Sequence, residues 1–329
     1  MITRRNFLKT SAAAVAAGIV APSAWSFPEV ENRIIGANDR INVGLIGCRN
    51  MGWGDLSDFL LHKEVDCLAL CDIDQGILNN RASEVEKKLN HKPQLFSDYR
   101  KMLEMKDLDA VIIGTPDHWH CLMFTDACSA GKDVYEEKPI ANYIAECDEM
   151  VKAAKRYERV TIVGGKFAFP DNCPETFDTQ SVIYEFDSFL MHWSHTGGVE
   201  TGPYNRNYGM AFKGTNGTLV ADRNNWEVIP EYDGNKKPRV EATKVVSDDS
   251  DHRLHVSNFI ECMKTRTFDT ACTIENGSLC AKYAHLGNIA ARSGLSLVYD
   301  DQKHTFTTGK EANSYLMPKY RSPWKFPNY

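Results

Sequence analysis

Nowhere does the sequence gather lysine and arginine into a block, and nowhere do basic and aromatic residues interleave. With 38 basic against 44 acidic side chains the net charge is -6, a sign that repels phosphate backbones and sets nucleic acid aside as a partner. The ten cysteines include no C-x-x-C pair and no Cys/His ligand spacing, so no metal centre is expected. Most of them fall within apolar helix and strand patterns, and they read as small core residues and not as disulfide partners. The apolar stretch from Ala12 to Ala21 has about half of the roughly 20 residues that a stable membrane span needs. Gly and Pro, at 22 and 13 of 329 residues, are too sparse for a collagen-like or low-complexity chain.

What is present begins with an address. Thr3-Arg4-Arg5-Asn6-Phe7-Leu8-Lys9, an alanine-rich stretch and Pro22-Ser23-Ala24 form a twin-arginine export signal over residues 1–26; whether it is cleaved is left open by the sequence, with Ala24 a reasonable cut point. This predicts a periplasmic protein that folds before export. The remaining length exceeds what one core usually fills, so two domains are expected, 40–165 and 166–329.

The first domain alternates strand and helix. Ile41 to Ile46 is an apolar run closed by Gly47, and Cys48-Arg49-Asn50-Met51-Gly52 leads into a helical pattern with Leu56 and Phe59. A second run, Val65 to Cys71, ends in Asp72, at the spacing of an acid that bonds the ribose hydroxyls of a dinucleotide. Gly47, Asn50, Met51, Gly52 and Asp72 are therefore cofactor-binding candidates. Arg49 stands where the G-x-G-x-x-G fingerprint wants its second glycine, and its Cβ pushes the pyrophosphate outward unless the turn is reshaped. Strands follow at Ala110 to Ile113, Val134-Tyr135 and Val160 to Val163, each separated by a helical pattern. This rhythm predicts a Rossmann-type parallel sheet with ligands at the carboxyl ends of its strands.

Two of the strand-end loops carry unusual residues: Gly114-Thr115-Pro116-Asp117-His118-Trp119-His120 and Glu136-Glu137-Lys138-Pro139. The pairing of a T-P-x-x-W-H loop with an E-K-P loop, behind the glycine turn and Asp72, resembles the Gfo/Idh/MocA oxidoreductase family. That resemblance implies an NAD(P)-dependent enzyme acting on sugars, cyclitols or related polyols, with hydride passing between a ring carbon and nicotinamide. It implies a cis Lys-Pro peptide and gives Lys138 the catalytic place, at the nicotinamide ribose and the substrate hydroxyl. A cation there steadies a developing alkoxide. Thr115, Pro116, His118, Trp119, His120, Glu137 and Lys138 join the cofactor-binding candidates. For His118 and His120 a general-base role competes with cofactor contact or helix-start bonding; for Trp119, packing competes with a cofactor shelf; Glu137 orients Lys138, touches the cofactor or forms a plain salt bridge. Asp72, with no basic residue following it, favours NAD over NADP.

Beyond Gly165 the pattern turns to strands and hairpins: Val182 continuing to Trp193, Gly209 to Val220 broken by Gly214-Thr215-Asn216-Gly217, then two helices and a strand from Leu295 to Tyr299. The fold class expected is α/β plus α+β, the second domain a mainly antiparallel sheet with helices on one face, closing the crevice and making homo-oligomer contacts. The resemblance continues through Asp251-His252-Arg253-Leu254-His255 and Tyr320-Arg321-Ser322-Pro323-Trp324. One block is missing: the Asp-x-x-x-His pair that in such a family positions and deprotonates the substrate. The gap reads as a natural deletion or a faulty reading of a longer protein. His192 and His195 are the stand-in bases, against a plain reading as solvent-facing histidines. Two alternatives to the dehydrogenase stay open. One is an NAD-dependent glycoside hydrolase working by oxidation and elimination, against which Lys138 argues because such relatives usually replace E-K-P. The other is a catalytically impaired cofactor- or sugar-binding remnant.

Overall fold

A computed structural model of the chain describes residues 40–164, 179–196, 201–223, 225–246 and 252–327. The export signal, Phe167 to Cys173 and Asp251 lie outside them. Six strands, β1 (Ile41–Ile46), β2 (Val65–Cys71), β3 (Gln94–Phe96), β4 (Ala110–Ile113), β5 (Asp133–Glu137) and β6 (Thr161–Gly164), form one parallel sheet in the order β3-β2-β1-β4-β5-β6. β1, β2 and β4 are apolar almost throughout because helices cover both faces of the sheet. Those helices are α1 (Asn50–Phe59), α2 (Gln75–Leu89), α3 (Tyr99–Leu103), α4 (His120–Ser129) and α5 (Ile144–Arg156). Asp74 starts α2 by accepting from Gly76 N at 2.9 Å and Ile77 N at 3.1 Å, which fixes the corner after β2.

The chain then returns to the sheet. In α6 (His252–Thr265), Val256, Phe259, Ile260 and Met263 enter the same core as Leu45, Phe59 and Tyr135. Phe59 meets Tyr135 edge-on at 5.2 Å and Phe259 at 6.0 Å. α7 (Ile274–Ser293) runs along α5 and β6; Thr273 caps its start and Gly294, at φ 67°, ends it. Both helices thus dock on the parallel sheet and its helices.

Strands β7 (Thr179–Glu185) and β8 (Leu190–Thr196) are the two arms of a hairpin, where the sequence pattern suggested one strand through Trp193. Phe186 N donates to Phe189 O at 3.1 Å and the two rings stack at 4.4 Å, which reverses the chain. The hairpin rests on α7, where Tyr184 donates its hydroxyl to Tyr283 O at 2.6 Å. A second antiparallel sheet has the order β12-β11-β10-β9, from β9 (Met210–Lys213), β10 (Gly217–Ala221), β11 (Asn225–Pro230) and β12 (Thr243–Val246). The expected strand from Leu295 shrinks to β13 (Tyr299–Asp300), paired with β14 (Thr305–Phe306); just before it Val298 N donates to the Thr308 hydroxyl and Val298 O accepts from Thr307 N, while Leu295 and Leu297 lie against Gly309. Of the cysteines described, seven are buried, Cys272 is half-buried and Cys280 exposed, all as free thiols; Cys173 lies outside the described residues.

Candidate active site

Three glycines bring β1, α1 and the loop after β4 into backbone contact. A Cβ on Gly52 would overlap Gly47 O, one on Gly114 would overlap Gly52 Cα, and one on Gly47 would stand 2.7 Å from Gly114 O. Gly47 has φ 89°, a conformation that strains any other residue. The turn is reshaped around Arg49: its backbone is extended, Asn50 takes φ 36°, and the Arg49 side chain swings out to pair with Asp74. Arg49, at the N-cap of α1, makes no side-chain cap bond, so the helix start keeps unpaired N–H groups among the described residues, the geometry that holds an anion. Asn50 is exposed and Met51 half-buried on that first turn. Asp72 accepts from Cys48 N at 2.8 Å and Asp74 N at 2.9 Å, so one carboxylate ties the glycine turn to the end of β2. Uncapped helix start, close glycine packing and a carboxylate at the neighbouring strand tip fit a dinucleotide.

The tips of β4 and β5 bring the other two loops together. Lys138-Pro139 is a cis peptide, and Lys138 is half-buried. His120, 1% exposed, opens α4 and reaches both loops: Nδ1 lies 2.8 Å from Pro139 O and Nε2 2.7 Å from Thr115 O. His118 is exposed, 3.7 Å from the carboxylate of its neighbour Asp117. Trp119 packs edge-on against Trp324 at 5.0 Å, and both face a cavity of about 410 Å3 shared with Asn142, Tyr143 and Tyr320.

Behind Lys138 lies a buried network that sequence reasoning missed. Asp55 and Glu137, 0% and 3% exposed, face each other, and among the described residues neither Asp55 oxygen accepts a hydrogen bond from a fixed donor, which leaves a shared proton as the way to satisfy the pair. Burial and mutual repulsion push Asp55 up to about 8; burial pushes Glu137 up to about 7, with Lys138 pulling the other way. His252 Nε2 sits 3.4 Å from Asp55 and 2.8 Å from the Tyr135 hydroxyl, while Nδ1 is 2.6 Å from Asp58 at the half-exposed edge. Tyr135 also meets His255 Nδ1 at 3.2 Å. A signal for Asp55 was there: Gly52, Asp55, Leu56 and Phe59 are the buried stripe of α1, and an acid on that stripe must be paired or protonated.

This pair has a pH signature. Its carboxyls titrate higher in the folded chain than the roughly pH 4 of an unfolded one, so its stabilisation is full below that value and drains as pH rises toward about 8. Asp55→Asn keeps the shape and donates an N–H to Glu137. Urea titrations at acid and mildly alkaline pH are expected to show the wild type losing a few kcal/mol more than the variant, on the order of one to three; parallel profiles would remove the shared proton.

His192 and His195 lie exposed on β8, His192 bonded to Ser181 Oγ at 2.8 Å. Neither joins the network around Tyr135 and Lys138.

A parallel sheet with a glycine turn, an acid at the next strand tip and a lysine loop beside it is the architecture of a Rossmann-type dinucleotide-binding domain. Residues 41–165 match the profile described as "Oxidoreductase family, NAD-binding Rossmann fold", and residues 230–326 match "Oxidoreductase family, C-terminal alpha/beta domain". The chain belongs to the Gfo/Idh/MocA oxidoreductase family. Residues 1–21 match a twin-arginine translocation signal. Among curated relatives, a glycosyl hydrolase family 109 protein of Shewanella sp. (strain ANA-3) is 32% identical over 175 residues, 48% of this chain and 38% of the relative. An alpha-N-acetylgalactosaminidase of Shewanella oneidensis is 31% identical over the same share. The chain thus spans less than half the length of these relatives. Among solved structures, the WlbA dehydrogenase of Chromobacterium violaceum, in complex with NADH and UDP-GlcNAcA, superposes with TM-score 0.60 at 17% identity over 80% of this chain and 99% of that one. An NAD binding oxidoreductase of Klebsiella pneumoniae gives 0.57 at 17% over 78% and 98%. At that identity the likeness is one of fold.

Proposed function

We propose that the chain is an exported, periplasmic NAD-dependent oxidoreductase of a carbohydrate or cyclitol, residues 40–165 holding the cofactor and 166–329 completing the substrate side. One observation carries the reading: the glycine turn, Asp72, Thr115-Pro116 and Lys138 stand at the carboxyl ends of the adjoining strands β1, β2, β4 and β5. Bound NAD supplies a hydride acceptor for a substrate ring carbon. Gly47, Asn50, Met51 and Gly52 line the pyrophosphate, Asp72 meets the adenosine ribose, and Lys138 steadies the oxygen that gives up its proton. Two carboxylates at the β2 corner, Asp72 and Asp74, disfavour a 2′-phosphate, and the nearby guanidiniums of Arg49 and Arg81 are already paired with Asp74 and Glu84. This supports NAD over NADP.

The names of the curated relatives favour a second reading, glycoside hydrolysis, for which transient oxidation by bound NAD is the route open to this fold. Incubating the purified chain with free sugars and with an α-N-acetylgalactosaminide separates them. Steady NADH formation is expected; sugar release with no net NADH would instead select the hydrolase cycle, and neither signal would leave a binding remnant.

The chain also self-associates on this reading. Met210, Phe212, Leu219 and Trp226 share one face of the second antiparallel sheet and are all exposed. Light scattering of the full chain is expected to read a multimer, and a monomer at micromolar concentration would sink that assignment.

A further inference from the structure

We propose that His120 is a positioning residue: its imidazolium, held against the buried carboxylate of Glu136, is a strut that ties the carbonyl of Thr115 to the carbonyl of Pro139. The inference rests on the proposed reading of those two loops as the nicotinamide end of the site, and deepens it.

The geometry allows few alternatives. Carbonyl oxygens only accept, and His120 has one at 2.8 Å from Nδ1 and another at 2.7 Å from Nε2. A neutral ring owns a single N–H, so it would aim a lone pair at one of them. With both nitrogens protonated, both contacts become donated hydrogen bonds. The ring is 1% exposed, so its charge needs a partner inside the protein. Glu136 Oε1 lies 3.2 Å from Nδ1, Glu136 is 0% exposed, and neither of its oxygens accepts a hydrogen bond from any other described residue. Each group supplies what the other lacks.

Strand β5 explains the arrangement. Successive residues of a strand point to opposite faces. Glu137 therefore faces Asp55 on one side while Glu136 faces His120 on the other. Burial lowers His120 from the usual imidazole range, and the two carbonyls and Asp117 offset this only in part while His118 adds to it. Burial and the Glu137 carboxylate raise Glu136 well above the usual carboxylate range, so it is the geometry of the two acceptors that favours the charged ring. The proton stays between the two groups, on the ring, because only there does it satisfy both carbonyls.

The strut spans the Thr115-Pro116 and Lys138-Pro139 segments, so its length sets their separation. Glu136→Gln keeps the size of the side chain but removes the counter-charge; the ring then gives up a proton and one carbonyl is released. His120→Gln removes the bridge outright.

Histidine 15N spectra of the full chain, wild type and both variants, read the strut directly. Two protonated ring nitrogens are expected for His120, unchanged from about pH 6 to about pH 8.5, against the normal titration of an exposed histidine. The signal vanishes in His120→Gln and becomes that of a neutral ring in Glu136→Gln. In parallel, both variants are expected to bind NADH about tenfold more weakly than the wild type. A neutral His120 in the wild type, or wild-type NADH affinity in a folded Glu136→Gln protein, overturns the proposal. Should the wild type bind no NADH, the reading of the loops as cofactor loops fails, and the nitrogen spectra still decide whether the strut exists.

Discussion

Turnover in the Lys138→Met variant is expected to fall about a thousandfold, with NADH affinity held within about threefold. The lysine follows the buried Glu137 at the tip of β5 and is itself half-buried. Methionine keeps the apolar stem and removes only the ammonium, so packing is preserved while the charge proposed to steady the reacting oxygen is lost. The measurement is kcat and KM on whichever sugar yields NADH. A raised KM with unchanged kcat would demote Lys138 to a binding residue, and unchanged kinetics would remove it from the mechanism.

The second large effect belongs to Gly52. Replacing it with alanine puts a methyl group into the carbonyl of Gly47 and within 3.2 Å of Gly114 Cα, all backbone that cannot rotate away. Overpacking of this kind costs roughly 1–3 kcal/mol, and the shift opens the turn proposed to hold the cofactor. NADH binding is expected to weaken by about a hundredfold, near 3 kcal/mol. Gly54, one half-turn further along α1, is the control: a Cβ there meets nothing within 4 Å, so Gly54→Ala is expected to gain up to about 1 kcal/mol from helix propensity. Equal behaviour of the two variants would show that the close packing of three glycines is not what shapes the turn.

The parts of the site that were legible in the sequence are those built from neighbours along the chain. Gly47 to Gly52 sits directly behind an apolar strand, and Asp72 ends the next one, so local pattern alone placed them at adjoining strand tips. The Asp55, Glu137, Tyr135 and His252 network has no such signature, since His252 arrives from α6 almost two hundred residues after Asp55. The same long-range return of α6 and α7 hid their docking on the parallel sheet. His120 was visible as a residue, but the two carbonyls that occupy its ring belong to Thr115 and to Pro139, and the second comes from a loop beyond the next strand. Arg49 illustrates a different limit: its identity announced a conflict with the glycine fingerprint, and only the positive φ of Asn50 and the pairing with Asp74 show how the turn accommodates it.

Fluorescence titration of the purified chain with NADH, and in parallel with NADPH, tests the central claim most directly. Saturable one-site binding of NADH at micromolar concentration, about tenfold or more ahead of NADPH, is the predicted result. Absence of binding by either nucleotide to the folded chain would contradict it.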